Sequence, residues 1–134
     1  VTRNLTEKSR AELQLSGWKL LDVETIPNPN SRVHVQQWAD VGFTKLRAWQ
    51  LCQFDKCVYI DADCTVVENV DELFDLNTDF AAAPDTFPPD HFNAGVMVLK
   101  PSLSVFRKMM RLMPCVDSYD KGDTGFLNKF YSKW

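Results

Sequence analysis

Two aspartates separated by one residue close an apolar run at Cys57-Val58-Tyr59-Ile60-Asp61-Ala62-Asp63-Cys64-Thr65-Val66. On a β-strand, side chains two apart share a face, so Asp61 and Asp63 are expected to converge at the carboxyl end of a strand. Open α/β sheets bind ligands at that end. Two neighbouring carboxylates repel, and a divalent cation between them removes the repulsion. Hard oxygen ligands suit Mg²⁺ or Mn²⁺. Two solvated carboxylates in a strand-end turn would give the same sequence.

Three further groups carry polar chemistry in apolar surroundings. Lys45 falls in the first turn of an expected helix, where a cation opposes the helix dipole; a diphosphate or a carboxylate nearby would cancel the penalty, as would holding the charge out in water. Asn93-Ala94-Gly95 opens an otherwise apolar strand. Its small residues let a ligand approach the backbone, and the Asn amide can both donate to and accept from sugar hydroxyls. The same Asn could simply end the preceding loop. Asp120-Lys121-Gly122-Asp123-Thr124-Gly125 sets two carboxylates around a glycine. Asp123 has the position of an N-cap for the last helix, and one or both carboxylates could also face a reacting sugar.

The elements that would carry these residues alternate between helix and strand. Val1-Thr2 reads as the end of a strand. A helix is expected over 6–15, with Thr6 as cap and Ser16-Gly17 as stop. A strand follows over 19–26, then a Pro/Asn loop and an irregular connection through Gly42. The periodicity predicts a helix over 43–54 carrying Phe43, Leu46, Trp49 and Leu51, and a strand over 56–60 that delivers the carboxylates. Next come a short helix over 70–74, a strand over 80–83, a loop over 85–90 holding Pro88-Pro89, and a buried strand over 92–99. Ser102 caps a helix to about Met113, and a last helix begins at Asp123. This order predicts a single α/β domain spanning 1–134, its sheet mixed and mostly parallel.

The 134 residues suffice for one core, and a net charge of −3 leaves no basic footprint for nucleic acid. No apolar run is long enough to span a membrane. The four cysteines lack zinc-site spacing and read as buried free thiols.

Several blocks, in order, resemble the glycogenin-like glycosyltransferases of family 8. They are Phe43-Thr44-Lys45-Leu46 with Trp49, Val58-Tyr59-Ile60-Asp61-Ala62-Asp63, Asn69-Val70-Asp71-Glu72-Leu73-Phe74, Ala82-Ala83-Pro84-Asp85, Phe92-Asn93-Ala94-Gly95-Val96-Met97-Val98 and Gly122-Asp123-Thr124-Gly125-Phe126-Leu127-Asn128. The resemblance implies a GT-A nucleotide-diphospho-sugar transferase fold. It implies retaining transfer of a hexosyl group from a UDP-sugar to an acceptor hydroxyl on a glycan, protein or lipid. It implies Mn²⁺ (or Mg²⁺) held by Asp61 and Asp63, with catalytic roles for Asp123, Asp120 and Lys45. Donor contacts are implied for Asp61, Ala62, Asp63, Asn93, Ala94, Gly95, Asp120, Asp123 and Thr124.

The sequence departs from the family pattern at three places. Thr124 stands where the family commonly has Gln. No counterpart of the family's first strand precedes Val1. The block that supplies a third metal ligand, a His, and a Lys for the diphosphate is expected beyond Trp134, and neither His34 nor His91 matches it. The domain is thus expected to be incomplete at both ends. Two alternatives stand beside the enzyme: an inactive glycosyltransferase-like binding fragment, and a haloacid-dehalogenase-like phosphatase with Asp61 as nucleophile and Asp63 as proton donor. A homo-oligomer is compatible with the sequence, and cytoplasm and Golgi or secretory lumen remain open as compartments.

Overall fold

The structure is a computed structural model that describes residues 1–30, 41–86 and 90–134. Residues 31–40 of the irregular connection expected through Gly42, and the Pro88-Pro89 tip, lie outside the described residues.

Helix α1 (Glu7–Leu15) starts where Thr6 Oγ1 accepts the Ser9 amide at 3.2 Å and stops at Gly17, whose φ of +91° suits a residue without a β-carbon. It buries none of its residues. The strand expected over 19–26 does not form, because its pairing is one residue deep. The Val1 amino group donates to Leu21 O at 2.5 Å and the Val23 amide to Val1 O at 2.9 Å. One residue bonded to two positions two apart is a parallel-type bridge, and a single bridge sustains no ladder. Ile26, buried, is tied instead to the next element by its amide, which donates to Thr44 Oγ1 at 3.1 Å.

The helix expected over 43–54 is a 3₁₀ helix, Gly42–Gln50. At three residues per turn, Phe43, Leu46 and Trp49 stack on one line, and all three are buried. Leu51 is only half-buried and caps its end. A second short 3₁₀ helix, Asp71–Asp75, begins where Asn69 Oδ1 accepts the Asp71 amide at 2.6 Å.

The described strands are β1 (Cys57–Ile60), β2 (Phe80–Pro84) and β3 (Phe92–Leu99), in the order β1-β3-β2. Both pairings are antiparallel, so this part of the sheet is not the mostly parallel one expected. The connection from β2 to β3 is too short for the crossover that a parallel pair needs, and β1 meets the same returning strand from its other side. β1 and β2 run the same way but are not neighbours. Central β3 buries Phe92, Ala94, Gly95, Met97, Val98 and Leu99, which explains its near-continuous apolar sequence.

The β2–β3 ladder breaks between Ala82, which faces Met97, and Ala83, which faces Asn93. The residues passed over on β3 are Ala94, Gly95 and Val96. Such irregularities re-aim backbone groups and recur beside active sites.

Helix α2 (Leu103–Leu112) is capped by Ser102 Oγ, which accepts the Val105 amide at 3.4 Å, and buries Phe106 and Met109. Helix α3 (Asp123–Phe130) buries Phe126 and Leu127. The core is rich in aromatic rings: Tyr131 stacks on Phe80 with centroids 3.8 Å apart, and Phe43 meets Phe126 at 5.7 Å. Asn128 seals the start of β3 by accepting the Phe92 amide at 3.0 Å and donating to Phe92 O at 2.9 Å.

Candidate active site

Lys45 projects from the first 3₁₀ helix toward the ends of β1, β3 and α3. Its ammonium lies 2.8 Å from Asp123 Oδ2 and 3.3 Å from Asp61 Oδ2, and it donates to Ala94 O at 3.2 Å. Three acceptors match the three donors of an ammonium. The Lys45 and Asp123 side chains are only 10% and 9% exposed, and Asp61 is 32% exposed. The anion expected near Lys45 is therefore a pair of carboxylates. Two carboxylates against one ammonium leave the cluster with excess negative charge, in surroundings that penalise it.

Asp61 and Asp63 occupy a turn, not a strand. β1 ends at Ile60, and the Cys64 amide donates to Asp61 O at 3.1 Å. Strand alternation therefore does not govern their facing. Asp61 turns inward to Lys45, whereas Ala62 and Asp63 are exposed at the rim. A divalent ion fits this donor set by chemistry, since both side chains offer hard oxygens. Among the described residues no group of three His, Cys, Asp or Glu side chains is assembled to hold a metal. Small divalent ions are commonly held by one or two carboxylates together with substrate phosphates and water.

The carboxylates of the last loop divide the labour differently from expectation. Asp123 does not cap α3; it is the first helical residue, after Gly122, and no side chain caps from that position. Its carboxylate goes to Lys45, because a buried ion pair holds an oxygen more strongly than a cap amide does. The helix entrance is served by Asp120, whose Oδ1 accepts the amides of Gly122 at 2.8 Å and Gly125 at 3.1 Å and a hydrogen bond from Ser118 Oγ. Thr124 follows Asp123 in the first turn and is half-buried.

The Asn93 side chain is folded onto its own strand, with Oδ1 accepting the Gly95 amide at 2.8 Å. A β-carbon on Gly95 would lie 2.9 Å from that oxygen and 3.4 Å from Asp61 Oδ2. The small residues at this place thus admit the side chains of Asn93 and Asp61. Ala94 is buried and contributes its carbonyl to Lys45.

Two participants escaped the reading of the sequence. Tyr59 donates from its hydroxyl to Asp61 Oδ1 at 2.6 Å, and its ring centroid is 5.6 Å from Lys45 Nζ. Burial first, then the bond to Asp61, pushes this phenol well above the ordinary tyrosine range. Its spacing of two from Asp61 on an expected strand was the available signal. Gly42 lies against Asp123, and nothing in the sequence around it marks that contact.

The pattern of the family described as "Glycosyl transferase family 8" matches residues 2–133. Glycogenin-1 of Caenorhabditis elegans is 43% identical over 109 residues, covering 80% of this chain and 25% of that protein. Human glycogenin-1 is 46% identical over 94 residues, covering 70% and 27%. A putative UDP-glucuronate:xylan alpha-glucuronosyltransferase 5 of Arabidopsis thaliana is 40% identical over 131 residues, covering 98% and 22%. The match thus spans 22–27% of the length of these curated relatives. The phosphatase alternative has no support in these similarities. The chain belongs to glycosyl transferase family 8, a family of glycosyltransferases with the GT-A fold.

Proposed function

We propose that this chain is the donor-side part of a retaining hexosyltransferase, moving a sugar from a UDP-sugar to an acceptor hydroxyl with Mn²⁺ or Mg²⁺ held by Asp61 and Asp63. The observation that carries the proposal is Lys45, its side chain only 10% exposed, bridging Asp61 and Asp123. It joins a carboxylate on the metal side to one on the sugar side through a single cation.

A divalent ion bound at Asp61 and Asp63 would act as a Lewis acid on the departing diphosphate. The protein's own share is preorganised charge. As the sugar–phosphate bond lengthens, the anomeric carbon gains positive character, and Asp123 offers a fixed carboxylate to stabilise it or to orient the acceptor hydroxyl. Lys45 holds Asp123 so that it need not reorganise during the reaction. Asp120 supports Asp123 from behind by fixing the entrance of α3. No side chain is assigned as a covalent nucleophile. The donor class is supported by a relative whose name specifies UDP-glucuronate. The relatives' names also include xylan and, in an inositol phosphorylceramide glucuronosyltransferase of Arabidopsis thaliana, a lipid, which supports a glycan or lipid hydroxyl as acceptor beside a protein one.

The test is UDP release by the full-length protein as a function of Mn²⁺. Asp61→Ala and Asp63→Ala should each abolish metal-dependent transfer, and retained activity in either refutes the metal assignment. Asp123→Asn should lower turnover more than donor affinity; a loss confined to donor affinity makes Asp123 a binding residue only.

A further inference from the structure

The two carboxylates that share Lys45 are not held alike. Asp123 closes on the ammonium to 2.8 Å, the ordinary length for a charge-assisted bond, whereas Asp61 stops at 3.3 Å. Asp61 has a shorter bond on its other oxygen: Tyr59 donates to Asp61 Oδ1 at 2.6 Å. Tyr59 is itself fixed, paired with Met97 in the β1–β3 ladder and packed against the core. The Asp61 backbone is fixed too, its amide donating to Gly95 O at 2.8 Å.

We propose that Tyr59 is a positioning residue for the donor-site metal: its hydroxyl holds the Asp61 carboxylate off Lys45 and keeps it oriented to receive a divalent cation. The proposal rests on the reading of Asp61 and Asp63 as metal ligands. An ionised carboxylate has about four acceptor directions. Tyr59 takes one on Oδ1 and Lys45 takes one on Oδ2, which leaves one direction on each oxygen for a metal. Without the hydroxyl, Asp61 is free to rotate and close on the ammonium. A carboxylate engaged in a tight ion pair is a poorer metal ligand, because its charge is already compensated and its orientation is set by the lysine. Groups that orient metal ligands in this way commonly govern affinity by about ten- to a hundredfold.

Tyr59→Phe removes the hydroxyl and keeps the ring that packs on the core and beside Lys45. The experiment is a titration of the full-length protein with Mn²⁺ alone, following free Mn²⁺ by electron paramagnetic resonance, for the parent, Tyr59→Phe and Asp63→Ala. A thermal melt of each confirms folding. Tyr59→Phe should weaken Mn²⁺ binding about tenfold, and transfer lost at limiting Mn²⁺ should be recovered by adding more. If Asp63→Ala loses Mn²⁺ while Tyr59→Phe binds it as the parent does, the positioning role is overturned and the metal site stands. If Asp63→Ala binds Mn²⁺ like the parent, the metal assignment falls and the role of Tyr59 falls with it.

Discussion

Gly42 and Asp123 are packed so closely that a β-carbon at residue 42 would come within 2.3 Å of Asp123 Oδ1. The glycine is not in the left-handed region, so space alone dictates its identity. It forms one wall for a carboxylate whose other oxygen is held by Lys45. Gly42→Ala must push Asp123 away. Overpacking of this kind costs about 1–3 kcal/mol, more than alanine gains over glycine in a helix. A displacement near 1 Å at a reacting group can cost on the order of a hundredfold in rate. Turnover should therefore fall far more than stability, as measured by UDP release beside urea denaturation. Parent-like turnover would show that Asp123 is not held in a critical place.

Lys45 is the only cation bonded to both Asp61 and Asp123 among the described residues. Lys45→Met preserves most of the volume and leaves two carboxylates facing each other without compensation. Removing one partner of a buried pair typically costs about 3–5 kcal/mol. Asp123→Asn in the Lys45→Met background should restore part of that loss. A double-mutant cycle in chemical denaturation checks this, with an expected coupling of at least about 1 kcal/mol. Additive single effects would mean that the pair contributes no net interaction.

Much of this architecture was legible in the sequence. The bounds of β3 follow from an apolar run that is buried on both faces, and the starts of α1 and α2 follow from Thr6 and Ser102. The character of the Gly42–Gln50 helix was not legible, because spacings of three at Phe43, Leu46 and Trp49 fit a 3₁₀ turn and an α-helical stripe alike. Strand direction was not legible either, since no local period records which neighbour a strand will meet. Residue types and order singled out Lys45, Asp61 and Asp123, which the structure brings into one cluster. The sequence could not tell which aspartate would serve the entrance of α3, because that choice is made by Lys45, 78 positions before Asp123 in the chain.

Lys121 adopts φ +56°, a left-handed conformation that costs most residues about 1–2 kcal/mol. Its carbonyl accepts from buried Asn28 Nδ2 at 2.9 Å, which holds the turn between Asp120 and Asp123 in place. A β-branched residue tolerates this conformation worst. Lys121→Val should destabilise the fold relative to the parent, whereas Lys121→Gly, relieved of that cost, should be at least as stable as the parent. The lost Lys121–Asp117 ion pair is exposed and matters little. Thermal melts of the two variants decide; equal losses would mean that the left-handed backbone is not the cause.

Tyr131 links stability to alkaline pH. Burial is the main cause that pushes its phenol from an ordinary value of 10.0 up to about 12, with the charge of Asp79 adding and the hydrogen bond from Trp49 opposing. Below pH 10 the phenol is neutral in both the folded and the unfolded chain, and its contribution is whole. Between pH 10 and 12 the unfolded chain releases the proton first, so folding loses ground with every step upward. The parent's urea midpoint should fall steeply across this window. Tyr131→Phe removes the titrating group, but it also deprives Trp49 Nε1 of the acceptor 2.9 Å away, a loss of about 1–3 kcal/mol at neutral pH. The variant should therefore start lower at pH 8 and fall less by pH 11, so that the two curves approach each other. Tyr59, shifted in the same direction, keeps part of the alkaline slope in both proteins. Parallel curves would show that Tyr131 titrates alike in the folded and unfolded chains.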